Sequence, residues 1–315
     1  MTCCRPLRMY WTGRYTENGK REYAFSYTKA YKDNFVDVPC GNCAGCVQDR
    51  LRNMAMRMND EASMYQRNCF ITLTVDDEHM GEVFPDGSLR KAPFQAFAKR
   101  LRKSQVGDYV ERPRWLPDGR KWNYRPIRIC YCGEYGEQYK RPHYHAILFN
   151  FDFVDKKLLG NSGDLPIYTS ETLERLWPYG FSSVGSVTFG SCAYVSGYVL
   201  KKSCHLEDYV DKETGVIKER EFVVYPRGFG LGRMWFERFS SDIYNYDRRV
   251  LKGGVMVRPP KYYDKLFSLH HEEDMLSLKK SRFGRQIKAP KVDLNAKEEI
   301  INSKQKHDRE KRNVF

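Results

Sequence analysis

The sequence predicts a mixed α+β fold, and three observations carry that expectation. Residues 69 to 77, CFITLTVDD, are rich in β-branched and aromatic types and alternate along the chain, with Thr72 and Thr74 on one face and Ile71, Leu73 and Val75 on the other. Residues 125 to 136 and 141 to 149 are two more strand-like runs, joined by the short polar loop EQYK, which outlines an antiparallel hairpin. Between and around these runs, apolar residues recur at helical spacing.

Taken in order, the first 40 residues are polar and aromatic without a helical period, and they close on PCGNCAGC at 39 to 46. Val47, Leu51, Met54 and Met58, spaced four, three and four apart, predict a helix immediately afterwards. The strand at 69 to 77 follows. After the turn PDG at 85 to 87, Pro93 opens a second helix whose stripe is Phe94, Phe97, Ala98 and Leu101. Beyond the hairpin, a short helix spans Ser170 to Trp177, SSVGSVTF is a strand, and CAYVSGYVLKK at 192 to 202 fits a helix. YPRGFGLGR at 225 to 233 is a glycine-rich turn. From 276 to 315 the chain is polar and basic, with 12 Lys and Arg against 5 Asp and Glu, and is expected to be extended or helical only on binding.

At 315 residues the chain exceeds one typical domain, so one large domain with appendages or two modest domains fit. The formal net charge of +14 favours a polyanionic partner, because basic side chains release counterions condensed on nucleic acid. The aromatic share of 14% exceeds what packing usually needs, and some rings are candidate platforms for bases. The N-terminus lacks the apolar run of a signal peptide, and no stretch approaches the roughly 18 apolar residues of a membrane helix. A soluble cytoplasmic protein without a membrane partner is expected, in which ten cysteines point to metal binding or burial before disulfides.

On a strand, residues two apart share a face, so His143 and His145 of RPHYHAILF project together. Isolated, such a pair is an ordinary polar feature of a sheet. Here the partner strand offers Glu134, with Glu137 and Asp76 as fallback carboxylates. Two imidazoles and one carboxylate with open positions suit Mg²⁺ or Mn²⁺ acting on a phosphate. On the helix at 192 to 202, Tyr194, Tyr198 and Lys201 fall within roughly 60° of one another, giving one face with two phenols and an ammonium. A phenol has a reference pKa of about 10, so as a nucleophile it needs a metal, base or cation. Cys40, Cys43 and Cys46 have C-x2-C-x2-C spacing, and Cys3 or Cys4 would complete a Cys₄ site for structural Zn²⁺. Cys130 and Cys132 read as packing.

FITLTVDD, GEYG with RPHYHAILF, and YVSGYVLKK stand in an order that resembles the HUH endonuclease superfamily of rolling-circle initiators. The likeness is strongest to the replication initiation proteins of microviruses of the gokushovirus type. PCGNCAGC, LWPYGFSSVGSV and PRGFGLGR add to it, so it spans roughly residues 38 to 265. The resemblance implies an HUH endonuclease fold, a central antiparallel β-sheet flanked by helices. It implies that His143, His145 and Glu134 bind the catalytic ion, that Tyr194 and Tyr198 are the paired nucleophiles, and that Lys201 is the motif lysine, with Lys202 less well aligned. The implied activity is a site- and strand-specific nick at the viral origin, single-stranded or melted, leaving a 5′-phosphotyrosine and a free 3′-OH for the polymerase. Later cleavage and religation close the displaced strand into a circle in the cytoplasm of a bacterial host, with host helicase and DNA polymerase as partners. Gly197 departs from the pattern and weakens the helix by up to about 1 kcal/mol. The expected organisation is a Cys-rich segment and helix over 1–66, the HUH core over 67–250 and a basic extension over 251–315. Two rivals stand beside this reading. Zinc hydrolases and cupin-like oxygenases also use His-x-His, but need further ligands that the few remaining histidines do not readily supply. A zinc-stapled single-stranded DNA-binding or packaging protein would explain charge and aromatics without cleavage.

Overall fold

The computed structural model describes residues 3–17, 19, 21–104, 114–115, 121–122, 127–136, 139–201, 210, 215, 217–251, 253–288 and 293–312. In chain order the elements begin with strands β1 (Leu7–Tyr15), β2 (Arg21–Ala24) and β3 (Phe35–Val38), helix α1 (Ala44–Ala62), β4 (Asn68–Leu73), α2 (Asp77–Val83) and α3 (Ala92–Ser104). There follow β5 (Arg114–Trp115), β6 (Lys121–Trp122), β7 (Arg128–Tyr135), β8 (Pro142–Phe149), β9 (Lys156–Ser162), β10 (Leu165–Ser170), α4 (Glu171–Leu176), β11 (Ser182–Gly185) and α5 (Phe189–Lys201). The last are β12 (Phe222–Val224), α6 (Arg233–Tyr244), β13 (Arg249–Val250), β14 (Met256–Val257), α7 (Lys261–Phe267), α8 (Glu272–Lys288) and α9 (Leu294–Arg312). The chain divides into two compact units, one of residues 1–52 with 271–315 and one of residues 53–270.

The larger unit is built on a seven-stranded sheet of order β12-β7-β8-β4-β11-β10-β9 whose neighbours all pair antiparallel. This is the α+β arrangement of a large antiparallel sheet flanked by helices. The alternation read from the sequence sorts its two faces. Ile71 and Leu73 of β4, with Tyr144, Ala146 and Leu148 of β8, meet Phe94, Phe97 and Leu101 of α3 and Leu173 of α4 on one side. Cys130 and Cys132 of β7 and Ile147 and Phe149 of β8 meet Ala55 and Met58 of α1 and Cys192 and Val195 of α5 on the other. Each fully buried large apolar side chain contributes about 1.5–3 kcal/mol, so this double-sided burial is what holds the strands in register.

A buried ion pair fastens the edge of this sheet. Arg128, which opens β7, meets Glu61 of α1 at 2.8 Å, with side chains 3% and 0% exposed, and also donates to the carbonyl of Phe229. The second Glu61 oxygen accepts the backbone N–H of Gly232 at 2.8 Å. Gly232 has φ of +74°, and a Cβ there would collide with the Tyr263 hydroxyl, so the PRGFGLGR turn requires glycine at this position. Glu61→Gln leaves Arg128 a buried cation without a counter-charge and is expected to lower unfolding stability by about 3 kcal/mol. Urea titration of the purified chain reads this directly; a midpoint equal to the wild type would sink the account of the pair.

In the smaller unit, β1 pairs antiparallel with both β2 and β3. These strands do not alternate between buried and exposed, because every position is half-buried or open, and this is why no periodicity marked them. The polar tail, expected to be extended, is helical in α8 and α9. Glu272, Glu273 and Asp274 sit in the first turn of α8, where the helix dipole favours anions, and Met275 is 1% exposed. Ile301 of α9 packs against a cluster of cysteines, and Glu298 pairs with Arg5 at 2.8 Å.

Candidate active site and cysteine cluster

The hairpin of β7 and β8 sets Glu134 directly opposite His143, and Cys132 opposite His145, while β4 sets Thr72 opposite His145 from the other side. The three ligand-type side chains therefore emerge on one face. Glu134 Oε1 lies 2.6 Å from His143 Nε2 and 2.7 Å from His145 Nε2. His145 Nδ1 lies 2.9 Å from the Thr72 hydroxyl, and His143 Nδ1 lies 3.1 Å from the carbonyl of Arg141. The Phe70 ring stacks on His145 at 5.5 Å and 10°, forming an apolar wall beside it.

Helix α5 brings a phenol to this cluster. The Tyr194 hydroxyl donates to Glu134 Oε1 at 3.0 Å and lies 3.2 Å from His145 Nε2. Cys192 and Val195 bury the other face of α5 in the core, which fixes where Tyr194 points. Gly197 does not interrupt the helix, which runs unbroken from Phe189 to Lys201. Tyr198 and Lys201 lie further along it, one turn and about two turns beyond Tyr194; their side chains are outside the described residues, as is Lys202 altogether. Of the fallback carboxylates, Glu137 is also outside the described residues. Asp76 instead caps α2, accepting the backbone N–H of His79 at 2.9 Å.

The electrostatics of the cluster are those of a cation site. Burial opposes ionisation of Glu134, but hydrogen bonds from His143 and His145 outweigh it and bring the carboxyl down to about 2. Burial also opposes a charge on both imidazoles. For His143 the bond to Glu134 wins and its pKa rises; each of its nitrogens faces an acceptor. For fully buried His145 burial wins and its pKa falls, consistent with a neutral ring whose Nδ1 faces a hydroxyl. Glu134 Oε2 is buried without a protein hydrogen-bond partner among the described residues. One carboxylate oxygen, two imidazole nitrogens and that orphaned acceptor fit a divalent ion, and the three ligand atoms lie within 4.8 Å of one another. Sequence reasoning found the three ligands, but Thr72 and Phe70 enter only through the β4–β8 register.

A second ligand group lies in the smaller unit. Sulfurs of Cys3, Cys40, Cys43 and Cys46 gather within 4.8 Å, with Cys3 Sγ 3.7 Å from both Cys40 Sγ and Cys43 Sγ. Cys3 is thus the fourth member. Cys4 takes a different part, its backbone N–H donating to Cys43 Sγ at 3.2 Å. Burial raises the Cys3 thiol and carries Cys46 up to about 12, while N–H donors from Cys4 and Cys46 bring Cys43 down to about 6 against its own burial. Four converging sulfurs, one already a thiolate, fit a tetrahedral thiophilic ion. Cys130 and Cys132 are fully buried on β7 and pack in the core.

This fold and site define a DNA replication-associated class: the family model of replication-associated protein ORF2 matches residues 68–203, which run from the start of β4 past the end of α5. The chain is 31% identical to replication-associated protein VP4 of Bdellovibrio phage phiMH2K over 278 residues, covering 87% of this chain and 79% of that protein. It is 28% identical to replication-associated protein ORF2 of Spiroplasma virus 4, covering 84% and 80%. It is 26% identical to replication-associated protein ORF4 of Chlamydia phage 1, covering 75% and 55%. The chain belongs to the family of microvirus replication-associated proteins that initiate phage replication. No solved structure matches it. Among the described residues no helix is long and apolar enough to cross a membrane.

Proposed function

We propose that this chain is an HUH-fold endonuclease that starts rolling-circle replication by nicking one strand of the viral origin in the bacterial cytoplasm. The observation that carries the reading is the Tyr194 phenol held 3.0 Å from Glu134 and 3.2 Å from His145, a nucleophile resting on a divalent-cation site. Glu134, His143 and His145 would hold Mg²⁺ or Mn²⁺, which when bound supplies positive charge to the non-bridging phosphate oxygens and to the developing phenolate. Thr72 and Phe70 keep the His145 ring in place. Tyr194 attacks the scissile phosphorus, forming the P–O bond of a 5′-phosphotyrosine while the P–O3′ bond breaks and the 3′-oxygen takes up a proton. One phosphoester replaces another, so religation to a 3′-OH needs no nucleotide cofactor. Tyr198, one turn along α5, is the second nucleophile for the closing cleavage, and Lys201 stabilises the phenolates. Host polymerase extends the freed 3′-OH and host helicase opens the duplex. The four cysteines hold structural Zn²⁺. The test is incubation with circular single-stranded origin DNA and Mn²⁺, looking for a denaturant-stable, protease-sensitive adduct. Tight binding without an adduct under any metal favours the DNA-binding or packaging role.

The same geometry sets a pH dependence. Metal binding needs His143 without its Nε2 proton, and its pKa is raised, so protons compete for the site from above the ordinary histidine value of about 6.5 downward. Mn²⁺ affinity is expected to climb as pH rises through that range, by about tenfold per unit below the His143 value. Calorimetric titration from acid to neutral pH checks it, and a flat profile contradicts the assignment. Without metal the signs are opposite for the two partners. The raised His143 contributes stability at low pH that fades as pH rises through its folded value, whereas depressed Glu134 contributes stability that is lost as pH falls toward about 2.

A further inference from the structure

The β1–β3 sheet carries rings that no core explains. None of its strand residues is fully buried, yet its two faces differ sharply in charge. Both carboxylates borne by its strands lie on one face. Asp37 stands opposite Arg8 and pairs with it at 3.0 Å, and Glu22 accepts from the Thr12 hydroxyl. The rings on that side, Tyr10, Tyr27 and Phe35, pack edge to edge, and the Tyr27 hydroxyl is taken by Asp33.

The opposite face is centred on Trp11 and has no strand-borne acid. Trp11 stands opposite Tyr23, its ring edge-on to Tyr31 at 5.0 Å and to Tyr15 at 5.9 Å. The Arg21 guanidinium lies 4.8 Å over the Trp11 ring and hydrogen-bonds the Tyr23 and Tyr15 hydroxyls. Gly13 makes this close assembly possible: it has φ of +79°, and a Cβ there would meet the Tyr31 ring at 3.0 Å. Tyr15 is 60% exposed and Tyr31 is 42% exposed, with Lys32 beside the Tyr31 ring.

We infer that this Trp11-centred face is a stacking platform for single-stranded DNA, a second DNA-contacting surface made of residues distinct from the cleavage site. Open aromatic faces accept bases of any sequence, and a cation held among them with no acid nearby suits the adjoining phosphates. Aliphatic packing against a protein partner would not require the acids to be segregated onto the other face. The inference rests on the proposed work on single-stranded DNA, but concerns binding and not bond cleavage.

The test uses the full-length chain and labelled oligo(dT), longer than a site of about 4–16 nucleotides, read by fluorescence anisotropy. Tyr15→Ala and Arg21→Gln are each expected to weaken binding about tenfold, with Arg21→Gln also lowering the salt slope by about 0.7. Tyr246→Ala removes an equally open ring elsewhere, 77% exposed, and is expected to bind as the wild type does. Wild-type affinity in both platform variants overturns the inference, and leaves the face to a protein partner. Circular dichroism and zinc content of Tyr15→Ala, whose ring is mostly in solvent, show whether an affinity loss came with unfolding; loss of either would also count against the platform. Adduct formation on origin DNA is scored separately. Cleavage with unaltered oligo(dT) binding in the variants defeats the platform alone, whereas weakened binding in a chain that never forms an adduct defeats the nickase alone.

Discussion

Glu134→Gln is expected to abolish divalent-ion-dependent cleavage while the chain stays folded. The substitution keeps the shape but removes the only carboxylate touching both imidazoles, at 2.6 and 2.7 Å. A neutral amide binds a hard cation poorly, so Mn²⁺ affinity should fall by at least about 100-fold, and single-turnover cleavage with it. Stability should change less. The amide N–H₂ group would occupy the place of an oxygen that has no protein partner among the described residues, costing about 1–3 kcal/mol. His143 should also lose its raised pKa, since the carboxylate that raises it is gone. Cleavage within about tenfold of the wild type would show that Glu134 is not a ligand.

Cys43→Ser should have the largest effect on the smaller unit. Cys43 is the member brought down to about 6, and it accepts the N–H of Cys4 that ties the N-terminal strand to the cysteine loop. Structural zinc in small domains contributes an apparent 10–16 kcal/mol or so, more than the half-open β1–β3 sheet can replace by burial. Native mass spectrometry is expected to show one zinc lost. Limited proteolysis should then cut within residues 1–52 while residues 53–270 resist, because the larger unit has its own two-sided core. No zinc in the wild type, or an equally resistant variant, contradicts the staple.

What was legible in the sequence follows from where burial alternates. β4, β7 and β8 are covered by helices on both faces, and their β-branched runs and short polar loop revealed them and the pairing of Glu134 with His143. The ligands were readable because i and i+2 on a strand share a face, which is a local rule. Thr72 and Phe70 were not, because their approach to His145 depends on which strand lies beside β8. β9 and β10 form a hairpin with Leu158 and Leu159 exposed at 66% and 52%, so apolar residues there signalled no inward face. Asp76 read as an acid at the end of a strand and proves to be a helix cap. The choice between Cys3 and Cys4 lay in the fold, since neighbours in sequence point their thiols differently.

The assignment of the first attack to Tyr194 is tested most directly by trapping the adduct on origin-bearing single-stranded DNA, digesting both components and sequencing the nucleotide-linked peptide by mass spectrometry. The predicted result is a 5′-phosphate on Tyr194, formed only with divalent metal, absent from Tyr194→Phe before any second cleavage and absent from His143→Ala. A nucleotide on a residue outside α5, or an adduct that forms equally well without His143, would contradict it.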